Sequence, residues 1–428
     1  MNVCVIGAGY VGLTTAAVLS SLGHRVSCID QDKKKVTMLQ AGRIPIYEPG
    51  LQDLIEENKN RLRFSDDLAA GINQAEIIVL AVGTPSLPDG SSNLSFLYKA
   101  LADAAANIAA YKVILIKSTV PPGTNRAVLN SLREKGYGPD LLDIVSNPEF
   151  LREGSALKDM LFPDRMVYGL YEENERVLQL LKQLYAGIDA PELVTNYEGA
   201  ELIKYASNAF LAAKISFINE ISRVCEKYGA DITHVARGIG LDNRIGPSFL
   251  QAGIGYGGSC FPKDLQSLSY TAKSSGIEAL ILDAVQSVNA SQLTVYIEKL
   301  KSLFPAFPAV KTAVLGIAFK PETDDIRESP AAALIHALNK AGCEVSAFDP
   351  KASLPEHLSG VKQTSNPYDA VTGADVVILA TDWQEIKNLD WQRVKQLMKG
   401  ETLLDARNCL VPEVIRAAGL IYEGVGRL

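Results

Sequence analysis

The sequence is poor in features that mark several classes of protein. Its 428 residues hold six cysteines, Cys4, Cys28, Cys225, Cys260, Cys343 and Cys409, far apart and with no Cys-x-x-Cys pair. That spacing argues against structural zinc and a disulfide scaffold, so no metal site is expected, and it fits a reducing compartment. No run reaches the ~18 apolar residues of a membrane span. The apolar N-terminus is interrupted by Gly7, Gly9 and Gly12 and follows no basic stretch, so it does not read as a secretion signal. A cytoplasmic protein with no membrane partner is expected. Positive charge is not in excess either: 42 Lys+Arg against 49 Asp+Glu give a net charge of -7. Spread along the chain, that balance excludes the basic footprint of a nucleic-acid binder. An anionic ligand must be held by a few placed cations.

What the chain does have is a rhythm. Short β-branched runs at Val3–Ile6, Arg25–Asp30, Glu76–Val82, Lys112–Ser118 and Asp143–Ser146 alternate with segments long enough for crossover helices. The rhythm returns after about residue 310, at Lys311–Ala318, Glu344–Asp349, Asp375–Thr381 and Thr402–Asp405. Such runs predict a parallel sheet covered on both faces. Two segments resemble each other across the halves: GHRVSCID at 23–30 with GCEVSAFD at 342–349, and AEIIVLA at 75–81 with ADVVILA at 374–380. Two related domains follow.

Between them, Glu198 to Tyr228 has no proline and glycine only near its ends, which predicts one helix of about 31 residues, ~45 Å long. Leu202, Ile203, Ala206, Phe210, Leu211, Ala213, Ile215, Phe217 and Ile218 leave its middle little polar face. A helix apolar nearly all round is expected to be buried on all sides, here by joining the two domains and forming much of a homodimer interface. The expected fold is α/β: two Rossmann-like, doubly wound parallel-sheet domains joined by a long central helix and a helical dimerisation region. The expected division is 1–197, 198–300 and 301–428.

The run Val3-Cys-Val-Ile-Gly7-Ala-Gly9-Tyr-Val-Gly12 leads from a strand into a helix, and Asp30 ends the next strand. In this pattern Gly7 permits the tight turn, Gly9 lets backbone N–H groups approach a pyrophosphate, and Gly12 allows close helix packing. The helix N-terminus favours the negative charge. Asp30 would accept hydrogen bonds from the ribose hydroxyls and repel a 2′-phosphate, so NAD is expected rather than NADP. Thr84, in Val82-Gly83-Thr84-Pro85, and Thr119, in the run Ser118–Thr124, follow later strands at their carboxyl ends. There they serve either cofactor contact or turn chemistry.

The most informative stretch is Gly253-Ile-Gly255-Tyr-Gly257-Gly258-Ser259-Cys260-Phe-Pro262-Lys263-Asp264. Its glycines remove side chains where another group must come close, and Pro262 suits the first turn of a helix. Cys260 is thereby placed at a helix N-terminus beside Lys263, both of which lower a thiol pKa, while Asp264 opposes them. The other five cysteines read as core fillers. On the long helix Lys204 and Asn208 are four apart and share a face; such a lysine can stabilise an alkoxide, or simply snorkel. Asn147-Pro148-Glu149-Phe150-Leu151-Arg152-Glu153-Gly154 ends another strand with two carboxylates that either order a water or face solvent. NAD together with an activated thiol points to a dehydrogenase that makes an acid by way of an aldehyde, whether it begins from the alcohol or from the aldehyde. The thiol adduct surrenders hydride readily, and the resulting thioester hydrolyses to an acid.

At this point the chain closely resembles the UDP-glucose/GDP-mannose dehydrogenase family. The resemblance is carried by GAGYVG at 7–12, VGTP at 82–85, STVPPGT at 118–124, NPEFLREG at 147–154, the helix start at 198–208, GIGYGGSCFPKD at 253–264, FKPETDDIRESP at 319–330 and DARN at 405–408. It implies NAD-dependent oxidation of the C6 hydroxyl of UDP-glucose to UDP-glucuronate, with two NAD reduced per turnover. It further implies that Cys260 is the nucleophile, that Lys204 and Asn208 bind the C6 oxygen, and that Asp264 positions water or relays protons. Glu149 becomes the acid–base group for thioester hydrolysis, and Glu153 with Thr119 supports a catalytic water. For the cofactor it implies Gly7, Gly9, Tyr10, Val11, Gly12, Asp30, Lys35, Thr84, Thr119, Glu153, Lys263 and Arg327. The substrate falls to Glu149 with Phe150, Leu151 and Arg152, to Lys204 and Asn208, to Phe249, Leu250, Gly253 and Gly257, to Phe319 and Lys320, and to Arg407. Arg244 is added, reaching in from a partner subunit.

The second half has Gly316-Ile-Ala-Phe-Lys320 in place of GxGxxG, which agrees with a nucleotide-sugar site. Other sugar nucleotides remain alternatives. The Ser259–Asp264 run departs from the acetamido-sugar group, with its His before the Cys, more clearly than from GDP-mannose. A β-hydroxyacid dehydrogenase would share the Lys-x-x-x-Asn pair but leave Cys260 unexplained. A NAD-binding regulator without turnover would have no use for Cys260, Lys204, Asn208 and Asp264 together.

Overall fold

Fourteen strands form among the residues described in this computed structural model, 1–358 and 360–427, most of them from apolar runs. The chain divides into two units, Met1–Ser207 with Gln266–Ile277, and Asn208–Leu265 with Glu278–Leu428. In the first unit β1 (Asn2–Ile6), β2 (Arg25–Ile29), β3 (Leu62–Ser65), β4 (Ile77–Leu80), β5 (Lys112–Ile116), β6 (Leu142–Ser146), β7 (Met166–Leu170) and β8 (Glu192–Asn196) make one sheet. Its order is β3-β2-β1-β4-β5-β6-β7-β8, parallel throughout except at β6–β7. Both faces are covered: along β1, Val3 and Val5 join one core cluster while Cys4 and Ile6 join another. That is why β4 and β5 are buried at every position and read as continuous apolar runs.

The second unit repeats this plan. Strands β9 (Lys311–Leu315), β10 (Glu344–Phe348), β11 (Lys362–Thr364), β12 (Val376–Leu379), β13 (Thr402–Asp405) and β14 (Ile421–Glu423) lie in the order β11-β10-β9-β12-β13-β14, all parallel. This is the order of the first six strands of the other sheet. The two resembling segment pairs fall on β2 and β10 and on β4 and β12. The likeness extends to hydrogen bonds: Asp30 accepts the N–H of Ala8 at 2.8 Å, and Asp349 accepts those of Ile317 at 2.7 Å and Ala318 at 3.0 Å.

The long helix runs Tyr197–Tyr228; its residues through Ser207 belong to the first unit and those from Asn208 to the second. Tyr205, Ala212 and Ile218 are fully buried, whereas Leu202 (44%), Phe210 (69%), Phe217 (55%) and Val224 (48%) are exposed. The expected burial on all sides is therefore corrected for the single chain: one apolar stripe stays open. No helix among the described residues is long and apolar enough to cross a membrane.

Candidate active site

The dinucleotide corner is built at the end of β1. Gly7 turns the chain at φ 102°, and a Cβ on Gly12 would lie 1.7 Å from the Gly7 carbonyl oxygen, so the helix Tyr10–Ser21 can approach the strand only with glycine there. A Cβ on Gly9, by contrast, would meet nothing within 4 Å. Open ground thus faces the helix N-terminus, whose first turn carries no acidic residue. At the end of β2, the Asp30 carboxylate accepts the Ala8 N–H, the Asp32 N–H at 2.9 Å and the Lys35 ammonium at 3.0 Å. Burial pushes Asp30 up, but these donors hold it below the usual carboxylate range, so it stays ionised. An open pyrophosphate floor and an ionised acid at the ribose end fit a dinucleotide. Val11 is half-buried. The Tyr10 hydroxyl accepts the Gly154 N–H at 2.7 Å, which ties it to the carboxylate loop. Thr84 donates to the Thr119 carbonyl at 2.8 Å, joining the loops after β4 and β5.

The carboxylate loop follows β6. Glu149 is buried; its Oε1 accepts the Lys204 ammonium at 2.9 Å and its Oε2 the Leu151 N–H at 2.6 Å. Burial alone would raise this acid, but the Lys204 charge, the Leu151 N–H and Lys117 hold it below its ordinary value. Phe150 lies under the Arg165 guanidinium, 3.8 Å from ring centroid to Cζ. Arg152 is exposed and paired with Asp159, and Glu153 is half-buried. The loop is anchored by a residue the motif reading passed over: buried Glu48 accepts the N–H groups of Gly154 at 2.6 Å and Ala156 at 2.7 Å. Glu201, one turn before Lys204, was also missed. It accepts the N–H groups of Gly123 and Asn125 at 2.6 and 2.8 Å, capping the helix Thr124–Glu134 after the Thr119 loop, and burial lifts it to about 7.

The cysteine loop belongs to the second unit. Cys260 directly precedes the helix Phe261–Ser274, and its carbonyl accepts the Asp264 N–H at 2.8 Å. Asp264 is buried and bridges two partners: Oδ1 accepts the Lys263 ammonium at 2.6 Å and Oδ2 the Asn208 amide at 2.6 Å. The Cys260 sulfur lies 3.6 Å from the Ser259 hydroxyl. Three amide side chains fasten the loop backbone. Asn219 accepts the Gly253 N–H at 2.8 Å while Gln292 donates to its carbonyl at 2.6 Å, and Asn289 both accepts from and donates to Tyr256, at 2.9 and 3.0 Å. These amides were not found from sequence, since each acts on backbone 33 to 39 residues away.

Gly257 presses on the turn before the helix Pro330–Ala341, where a Cβ would lie 2.0 Å from the Glu328 carbonyl oxygen, and the Gly258 N–H donates to the Arg327 carbonyl at 2.9 Å. The Arg327 side chain pairs with Asp325 at 2.7 Å. Arg407 donates to the Gly255 carbonyl and pairs with Asp382, each at 3.3 Å. The Lys320 ammonium sits 5.5 Å from the Phe319 ring. Phe249 adopts φ 64° beside Phe261, and Leu250 is buried. Arg244 pairs with Asp242, two residues back, on an exposed turn. One unit thus gathers Glu149, Phe150 and Lys204 with the dinucleotide corner, and the other gathers Cys260, Asp264, Asn208 and Arg407.

Residues 1–189 match the family model of the UDP-glucose/GDP-mannose dehydrogenase NAD binding domain, residues 198–291 its central domain and residues 313–412 its UDP binding domain. The chain belongs to the UDP-glucose/GDP-mannose dehydrogenase family. It is 51% identical to YtcA of Bacillus subtilis (strain 168) and 42% identical to the UDP-glucose 6-dehydrogenase of Rhizobium meliloti (strain 1021), with 100% of both chains covered in each case. Among solved structures, the UDP-glucose dehydrogenase of the hyperthermophilic archaeon Pyrobaculum islandicum matches with a TM-score of 0.90 at 36% identity, covering 100% of this chain and 98% of that one. The doubly wound domains are those of this family, the first of them its NAD-binding domain, and the protein is an NAD-dependent oxidoreductase.

Proposed function

We propose that this dehydrogenase oxidises the C6 hydroxyl of UDP-glucose to the carboxylate of UDP-glucuronate, reducing two NAD per turnover. The observation that carries the reading is Cys260 at a helix N-terminus followed by Lys263 and Asp264, with the buried Asp264 bonded to both Lys263 and the buried Asn208; two-electron alcohol oxidation needs no such thiol. NAD supplies the hydride acceptor, and the residues of Gly7–Gly12 with Asp30 and Lys35 would hold it. In the first oxidation the C6 hydroxyl gives up its proton as hydride leaves carbon, and Lys204 with Asn208 stabilises the developing oxygen charge. The Cys260 thiolate then bonds to the aldehyde carbon, and the adduct oxygen drives out a second hydride, which leaves a thioester. Water adds to the thioester carbonyl and the C–S bond breaks. Glu149 takes the proton of that water, Glu153 and Thr119 support it, and Asp264 relays protons at the thiol.

In this reading Phe150, Leu151, Arg152, Phe249, Leu250, Gly253, Gly257, Phe319, Lys320 and Arg407 contact the substrate, with Arg244 supplied by a second copy. Tyr10, Val11, Thr84, Lys263 and Arg327 serve the cofactor. The functional division is 1–197 for NAD, 198–300 for dimerisation and the cysteine loop, and 301–428 for the UDP-sugar. Six free cysteines support a cytoplasmic site of action.

With UDP-glucose limiting, the expected yield is two NADH per sugar nucleotide consumed, and little from GDP-mannose or UDP-N-acetylhexosamines. One NADH per substrate, or a faster rate with another sugar nucleotide, overturns the assignment. The exposed stripe of Leu202, Phe210, Phe217 and Val224 supports a homodimer through the long helix. Light scattering at micromolar concentration is expected to give twice the chain mass; a monomer mass refutes this.

A further inference from the structure

Lys117 follows β5, is buried, and takes part in no step above. Its Nζ donates to Asn147 Oδ1 at 3.2 Å. The same oxygen accepts the Tyr185 hydroxyl at 2.6 Å, and Asn147 Nδ2 donates to the Val167 carbonyl at 3.0 Å. Donors on one side and an acceptor on the other leave this amide a single orientation. Pro148 and Glu149 follow Asn147 directly, so the ammonium anchors the turn that carries the carboxylate. The groups facing Lys117 are Glu149 from the loop after β6, Lys204 from the long helix, and Tyr185, whose ring centroid is 6.0 Å away and whose phenol burial raises. Two buried ammonium groups therefore attend one buried carboxylate. An unneeded buried charge is costly, and an apolar side chain would fill this space without that cost. Burial pushes Lys117 down to about 8, against the pull of Glu149 and with the repulsion of Lys204, so it is mostly charged at neutral pH.

We propose that Lys117 is a positioning residue for Glu149: its ammonium pins the Asn147–Glu149 turn and supplies a second counter-charge, which frees the Lys204 ammonium to follow the reacting oxygen. The catalytic part of this rests on the reading of Glu149 as the base in thioester hydrolysis. The test compares full-length wild type with Lys117→Gln, which keeps a donor to Asn147, and Lys117→Met, which does not. Protonation of Glu149 is followed by its infrared carboxyl band, identified by its loss in Glu149→Gln. In both lysine variants the band's midpoint is expected to rise by one pH unit or more, a tenfold change in proton affinity. The acid limb of the kcat profile with UDP-glucose moves with it, while KM stays within about twofold. An unchanged midpoint in a folded variant, or a wild-type midpoint in Lys117→Gln, overturns the proposal. If wild type makes no NADH from UDP-glucose, the functional reading falls, while the infrared midpoint still decides the role of Lys117.

Discussion

Replacing Cys260 with alanine is expected to lower UDP-glucuronate formation by roughly 10⁴-fold or more, the scale seen when a covalent nucleophile is removed. The loss is specific to chemistry because the loop does not depend on the sulfur for its shape. Its backbone is held by Asn219, Gln292 and Asn289, and the Asp264 N–H bonds the Cys260 carbonyl, which alanine keeps. UDP-glucose affinity by calorimetry and the melting temperature are therefore expected to stay close to wild type. Wild-type-like NADH production in the alanine variant removes the covalent step from the mechanism. Cys260→Ser sharpens the test. A serine oxygen can still add to the aldehyde, but the alkoxide leaves an ester far less readily than a thiolate leaves a thioester, so the intermediate accumulates. Mass spectrometry is expected to find the sugar nucleotide attached at position 260, and free aldehyde in solution without an adduct contradicts it.

The architecture was legible at most strands of symmetric burial, though β7, buried at every position, was passed over. Strands covered on both faces, such as β4 and β5, are apolar but for Lys112 at the start of β5, and the repeated segments announced two sheets of one plan. Strand β8 escaped because most of its residues are exposed, and β11 and β14 because three residues leave too little pattern. The long helix was legible from its missing prolines, but its open stripe was not, since an apolar residue looks the same whether its own chain or another covers it. At the site, residues with distinctive chemistry in short motifs could be named in advance. Those that hold the motifs in place could not: Glu48, Glu201, Asn289 and Gln292 act on backbone groups of loops far away in sequence. No local pattern encodes such a pairing. Lys117 was hidden by its place just after β5, where a lysine ordinarily marks a strand end rather than a buried charge.

Lys204→Ala is expected to change both rate and stability. Losing a donor aimed at developing oxygen charge lowers kcat by about 10²–10³-fold, with a smaller change in KM; equal changes in the two make Lys204 only an anchor for substrate. The stability effect follows from the ion pair with Glu149, whose partners are 3% and 7% exposed at the side chain. Removing one partner of a buried pair leaves a carboxylate without its nearest counter-charge, a loss of about 3–5 kcal/mol. The pH dependence carries the sign. In wild type the Glu149 acid lies below its ordinary value, so its contribution is present above the unfolded pKa and disappears as pH falls through the folded one. In the alanine variant burial acts with less opposition and the folded pKa rises, so ionisation opposes folding and stability falls as pH increases. The gap in melting temperature between the two proteins is therefore expected to widen from pH 5 to pH 8. Adding Glu149→Gln to Lys204→Ala removes the stranded charge and is expected to recover most of the lost stability but none of the lost rate. A double variant no more stable than the single one shows that the cost lies in lost packing of the lysine stem, and that the carboxylate was never held by this partner.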